Sequence, residues 1–178
     1  MVSRRSATKL NPAISADVAD WSRERPRSFW DPSRKLLGAI RSYQAYANRR
    51  GPVAVLGRKI SLLRHRFWTV VTGADIPVNV KIAGGLLLPH PNGVVIHPDA
   101  VIGPNCLIFQ QVTLGTGGPT PGTPTLGGHV DVGAGAKILG GVTLGPHAKV
   151  GANAVVLQDV PPHVTAVGVP AKFVYRNH

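Results

Sequence analysis

Cysteine is almost absent from this 178-residue chain: Cys106 stands alone, so no disulfide can form within it, and no paired-cysteine metal motif exists. That usage fits a reducing compartment. Long apolar runs are also missing. Nothing approaches the roughly 18 uncharged residues needed to span a bilayer, and Met1 to Ala16 carries basic residues without the apolar core of a signal peptide. The expectation is a soluble, cytoplasmic protein with no membrane partner. Acid is scarce, with 8 Asp and Glu against 20 Lys and Arg, and aromatics make up only 6% of the residues. Such a basic balance invites a nucleic-acid partner, but the bases do not interleave with aromatics and no nucleic-acid-binding motif occurs, so none is expected.

The excess charge is unevenly placed. Fifteen of the 20 Lys and Arg precede residue 71, against four acids there, and the remainder is close to neutral. The chain divides on the same line. Residues 1–30 have no sustained period and are rich in Arg, Ser and Pro, which predicts an irregular basic arm that adds nothing to the core and is dispensable for assembly. Over residues 31–73 apolar side chains recur at helical spacing, first Leu36, Ile40, Tyr43 and Ala47, then Leu56, Ile60, Leu63 and Phe67. Two amphipathic helices follow from this, the first capped by Asp31 and opened by Pro32. Gly51-Pro52 divides them and Gly73 ends the second.

From 74 to 178 the governing signal is an internal period of six. Aliphatic residues stand at 76, 82 and 88, then at 96, 102, 108 and 114, and again from 126 to 156 in steps of six. A small or medium residue comes four places after most of them, as at Ala100, Cys106, Ala136, Ala148 and Ala154. Six fits neither a helix nor a hairpin. It fits a triangular solenoid in which three hexads make one turn, the aliphatic residue points inward, and stacked coils pair their backbones about 4.8 Å apart. The predicted class is therefore mainly β, a left-handed parallel β-helix preceded by an α-helical segment. Cys106, at an inward small position, reads as core.

Two breaks in the period are candidate functional loops, since solenoid insertions leave the coil. Leu88 to Ile96 is a step of eight containing Pro89-His90-Pro91-Asn92-Gly93, and Gly115 to Thr125 is rich in Gly, Thr and Pro with no aliphatic at Thr120. His129 and His147, eighteen residues apart, should stack on adjacent coils; two stacked surface histidines do not make a metal site, and no metal is expected.

With these landmarks in place the sequence resembles the serine acetyltransferase family from about Asp75 to Val174, through ADIPVNVKI, LLLPHPNGVVI, LIFQQVTLGTGG, VGAGAKILGGVTLG, VGANAVVLQDVPPH and GVPAK. The resemblance implies acetyl transfer from acetyl-CoA to the hydroxyl of serine or a serine-like acceptor, in the setting of cysteine biosynthesis. It makes His90 the general base and Asp75 the carboxylate that orients it, with Asp31, Asn92 and Thr123 at the acceptor. It puts Gly117, Ala134, Ala152 and Lys172 along CoA, and implies a homotrimer or two trimers joined. The chemistry is sound in its own terms: a hydroxyl is a poor nucleophile at neutral pH, and imidazole is a base suited to take its proton.

The chain also departs from the family. Pro89 replaces the acid that usually precedes the base, His97-Pro98 replaces a Gly-Glu, and the second loop is two residues shorter, reading Gly122-Thr123-Pro124 where the family has Arg-His-Pro to hold the amino acid. The donor side is conventional and the acceptor side is not. A sugar or biosynthetic-intermediate acceptor is the alternative within the class; a non-catalytic trimeric scaffold and a zinc-dependent hydratase are the alternatives outside it.

Overall fold

The computed structural model describes residues 14–175. The predicted arm therefore lies partly outside the described residues, over 1–13. Helix α1 (Pro32–Ala47) and helix α2 (Pro52–Thr72) form a hairpin. The Asp31 side chain accepts from the Arg34 amide, proline occupies the first turn of each helix, and Gly73, at φ 64°, closes α2 in the left-handed conformation that glycine adopts without strain. Helix α1 buries Leu36, Leu37 and Ile40 in the same core as the solenoid, and Ala39 is buried beside them.

Among the described residues thirteen short strands follow, and twelve of them wind into three parallel sheets. One side holds β1 (Lys81–Ile82), β3 (Val101–Ile102), β6 (Thr125–Leu126) and β9 (Thr143–Leu144). A second holds β2 (Val95–Ile96), β5 (Thr113–Gly115), β8 (Lys137–Leu139) and β11 (Val155–Val156). The third holds β4 (Leu107–Ile108), β7 (Asp131–Val132), β10 (Lys149–Val150) and β12 (Thr165–Val167), closed by the antiparallel β13 (Lys172–Val174). Each predicted aliphatic ladder position from Ile76 to Val156 is buried, as are the small residues between, so the six-residue period reports the interior directly.

Register shows what the breaks do. Thr125 pairs with Thr143 and Lys137 with Val155, the ideal step of 18 residues per coil. Lys81 pairs with Val101, two residues more, and Thr113 with Lys137, six more. Both excesses are expelled at the two interruptions, leaving the ladders in phase. Cys106 is fully buried, donates to the Gly127 carbonyl at 3.2 Å, and has its thiol pushed up to about 11 by burial, as a core residue should.

Two expectations need correction. The arm is irregular apart from one 3-10 turn (Trp21–Glu24), but it is not detached: residues 15–24 strap one corner of the solenoid. Buried Asn105 receives the Asp20 amide at 2.8 Å and donates to the carbonyls of Ser15 and Val18 at 2.8 and 2.7 Å. Glu24 pairs with Arg41 at 2.8 Å and accepts from the amides of Gly85 and Leu86. The Ala16 backbone lies so close on Gly128 that no Cβ would fit there. The second correction concerns α2: its apolar stripe of Leu56, Ile60, Leu63 and Phe67 faces outward, and the helix packs through Ala54, Ser61, Trp68 and Thr72 instead.

Candidate active site

The eight-residue step turns the chain from Leu87, which bridges to Leu107 on the third side, to β2 on the second. Two prolines flanking His90 stiffen this corner, and His90 itself is exposed. Its loop is pinned from both sides: Ser33, in the first turn of α1, donates to the Leu88 carbonyl at 2.6 Å, and the Gly93 amide donates to the Gly73 carbonyl at 2.8 Å. A cavity of about 400 Å³ opens there, lined by Trp30, Asp31, Ser33, Val71, His90 and Asn92 among others. Asn92 and Asp31, far apart in sequence, thus share one wall with His90.

Asp75 stands one coil below β2, bridging to Val95, with its amide donating to Val94 and its carbonyl accepting from Ile96. Its side chain is exposed, and no hydrogen bond or ion pair joins it to His90 among the described residues. Asp31 is heavily engaged as a cap. Burial works to raise its pKa, but amide bonds from Arg27 and Arg34 and the Arg34 guanidinium, 3.1 Å away, outweigh it and hold the carboxyl below its ordinary value.

A second cavity of about 250 Å³ shares Asp31, Ser33 and Pro89 with the first and adds Arg27 and Arg34. Arg34 is committed to Asp31 and to the Arg23 carbonyl. Arg27 has no side-chain hydrogen bond or ion pair among the described residues. Nothing in the sequence distinguishes it from the other bases of the segment before residue 71.

The positions assigned to the donor lie elsewhere on the prism. Ala134 and Ala152 stack on the corner between the third and second sides, the Asn153 amide donating to the Ala134 carbonyl at 2.8 Å. The Gly-rich loop folds back over the next corner, its Thr120 carbonyl accepting from Gly141 and its Gly117 carbonyl resting on Gly140. Gly117, at φ 107°, is exposed. Thr123 is tied to the Asp99 carbonyl at 3.1 Å, and Lys172 projects from β13.

His129 and His147 do lie on adjacent coils, with ring nitrogens 2.8 Å apart but the rings edge-on at 83°, and His163 continues the column, stacked on His147 at 4.7 Å. Among the described residues no group of three or more His, Cys, Asp or Glu is arranged to hold a metal ion.

No family model matches the chain. It is 41% identical over 135 residues to a serine acetyltransferase of Staphylococcus epidermidis, covering 75% of this chain and 60% of that one. Among solved structures, serine acetyltransferase of Brucella abortus in complex with coenzyme A superposes with a TM-score of 0.69 at 29% identity, covering 83% of this chain and 57% of that one. The Neisseria gonorrhoeae serine acetyltransferase in complex with serine gives 0.67 at 34%, covering 82% and 57%. The chain therefore spans between 37% and 60% of the length of the curated relatives it matches.

Proposed function

We propose that this chain, a relative of the serine acetyltransferases over its helical hairpin and solenoid, transfers an acetyl group from acetyl-CoA to the hydroxyl of serine or a serine-like acceptor. The observation that carries the reading is the cavity that gathers His90 and Asn92 from the irregular corner with Trp30, Asp31 and Ser33 from the start of α1. The acceptor oxygen bonds to the thioester carbonyl carbon as His90 takes its proton; the carbon–sulfur bond then breaks and the proton passes to the CoA sulfur. No covalent enzyme intermediate is needed. Asp75 is assigned the positioning role, which requires its exposed side chain to swing toward the ring when substrates bind; catalytic hydrogen bonds commonly tighten only then.

CoA is assigned to the groove along Ala134 and Ala152, where small side chains let a narrow pantetheine arm reach the backbone, with Gly117 flanking it and Lys172 toward the nucleotide phosphate. The solenoid is assigned the left-handed coil of hexapeptide repeats and a trimeric assembly, in which the flat sides of three copies meet around a threefold axis. On the acceptor side Arg27 supports the serine reading. Gly122-Thr123 offers no guanidinium to a carboxylate, but Arg27 does, in a cavity that shares Asp31, Ser33 and Pro89 with that of His90. The test is release of free CoA, followed with a thiol reagent, across a panel of serine, serine amide, homoserine and simple sugars. Turnover with serine and not with sugars is expected; turnover with sugars alone would transfer the activity to the alternative acceptor class, and none at all would leave a scaffold.

A further inference from the structure

Helix α2 shows solvent a seam it does not use. Val53, Leu56, Ile60, Leu63, Phe67 and Val70 follow one another at alternating steps of three and four, and all are exposed, Leu63 by 66%, Phe67 by 54% and Val70 by 83%. Such spacing is a continuous stripe along a helix of 21 residues. Among the described residues nothing packs on it. At its C-terminal end exposed Phe67 and exposed Trp30 form a rim on either side of buried Trp68, at 4.9 and 5.6 Å between ring centroids, with Lys35 lying over exposed Phe29 and over Trp68.

Charge selects the occupant. Helix α2 carries Arg58, Lys59, Arg64 and Arg66 and no acid. Lys59 and Arg66 flank one edge of the stripe and Arg64 the other. A second copy laid antiparallel would set Lys59 and Arg66 against themselves; laid parallel, it would set them against the edge that holds Arg64. Like charges face each other either way, which penalises self-pairing at the flanking positions that normally carry complementary charge. A surface that is itself negative meets no such penalty. An apolar stripe with a Phe, edged by Lys and Arg and continued by Trp at its rim, has the composition of a helix that lies in a bilayer interface.

We propose that the outer face of α2, with the Trp30–Phe67 rim, lies on an anionic lipid surface. The lack of a spanning run in the sequence speaks only against crossing a bilayer, and no helix among the described residues is long and apolar enough to cross. Lying on a membrane requires only one apolar face and a basic margin. Because the stripe ends at Val70, and the adjoining Val71 lines the His90 cavity, the docked orientation brings that cavity close to the lipid headgroups.

Flotation of the full chain with vesicles tests this apart from any activity. Binding is expected to phosphatidylcholine vesicles containing about 30% phosphatidylserine and not to phosphatidylcholine alone, and it should weaken as salt rises. Leu63→Glu with Phe67→Glu, and separately Lys59→Glu with Arg66→Glu, should each reduce partitioning at least ~10-fold while the melting temperature and the mass by light scattering stay unchanged. Three results would overturn the proposal: no flotation of the unaltered chain, flotation that survives both double substitutions, or a fall in assembled mass in Leu63→Glu with Phe67→Glu, which would assign the stripe to a second copy.

Discussion

Replacing Asn105 should unlatch the arm. Its side chain is 1% exposed, stands at φ 60°, and makes three hydrogen bonds to backbone groups of Ser15, Val18 and Asp20. Alanine removes all three, at about 1 kcal/mol net each, and must also hold a left-handed backbone that costs about 1 kcal/mol or more without glycine or asparagine. The three bonds, roughly 3 kcal/mol, fall on the docking of residues 15–24, and the strain of about 1 kcal/mol falls on the coil corner that residue 105 occupies, while the strand ladders are untouched. Asn105→Gly separates the two contributions, since it loses the bonds and keeps the conformation, and should cost about 1 kcal/mol less. Amide hydrogen exchange reads the result: protection over 15–24 and at Gly85 and Leu86, whose amides Glu24 accepts, should collapse in Asn105→Ala while β7 to β11 stay protected. Unchanged protection of the arm would refute the latch. A uniform loss across the coils would show instead that the arm and the solenoid unfold as one unit.

Three further outcomes follow from the site and the histidine column. His90→Ala should lower kcat by roughly 10² to 10⁴ with CoA affinity retained, and Asp75→Asn should cost less, both read by steady-state CoA release. Arg27→Ala should raise KM for serine about 10- to 100-fold and leave serine amide nearly unaffected, the loss expected for one charge-assisted bond to a carboxylate; equal effects on both acceptors would remove Arg27 from the carboxylate. Burial, opposed by the Asp131 carboxylate and helped by His147, Arg23 and Lys149, lowers the His129 pKa in the folded protein, so the unfolded chain binds the proton more readily. The stability associated with neutral His129 is present above its unfolded pKa and is lost as pH falls through the lower folded value. Melting temperature should therefore decline on acidification below neutral, and His129→Asn, which tolerates the φ of 53°, should flatten that decline.

The solenoid was legible because its determinant is local: an inward aliphatic every six residues is a statement each hexad makes alone, and the register of the sheets repeats it coil by coil. Helix limits were legible for the same reason, Asp31-Pro32, Gly51-Pro52 and Gly73 acting through their own backbone. His90 stood out because it interrupts a beat that is otherwise regular. What needed the tertiary structure were meetings between distant segments. Asn105 catching Ser15 and Asp20, and Arg27 lining one cavity with Pro89, leave no periodic trace, since each is an isolated meeting across tens of residues. The stripe on α2 makes the same point in reverse. Periodicity reveals that Leu56, Ile60, Leu63 and Phe67 share a face, but it is silent on whether that face meets the core. Packing on α1 was decided by Ala54, Ser61, Trp68 and Thr72, where small side chains permit close approach and Trp68 fills the space beyond, and the more apolar face was left outside.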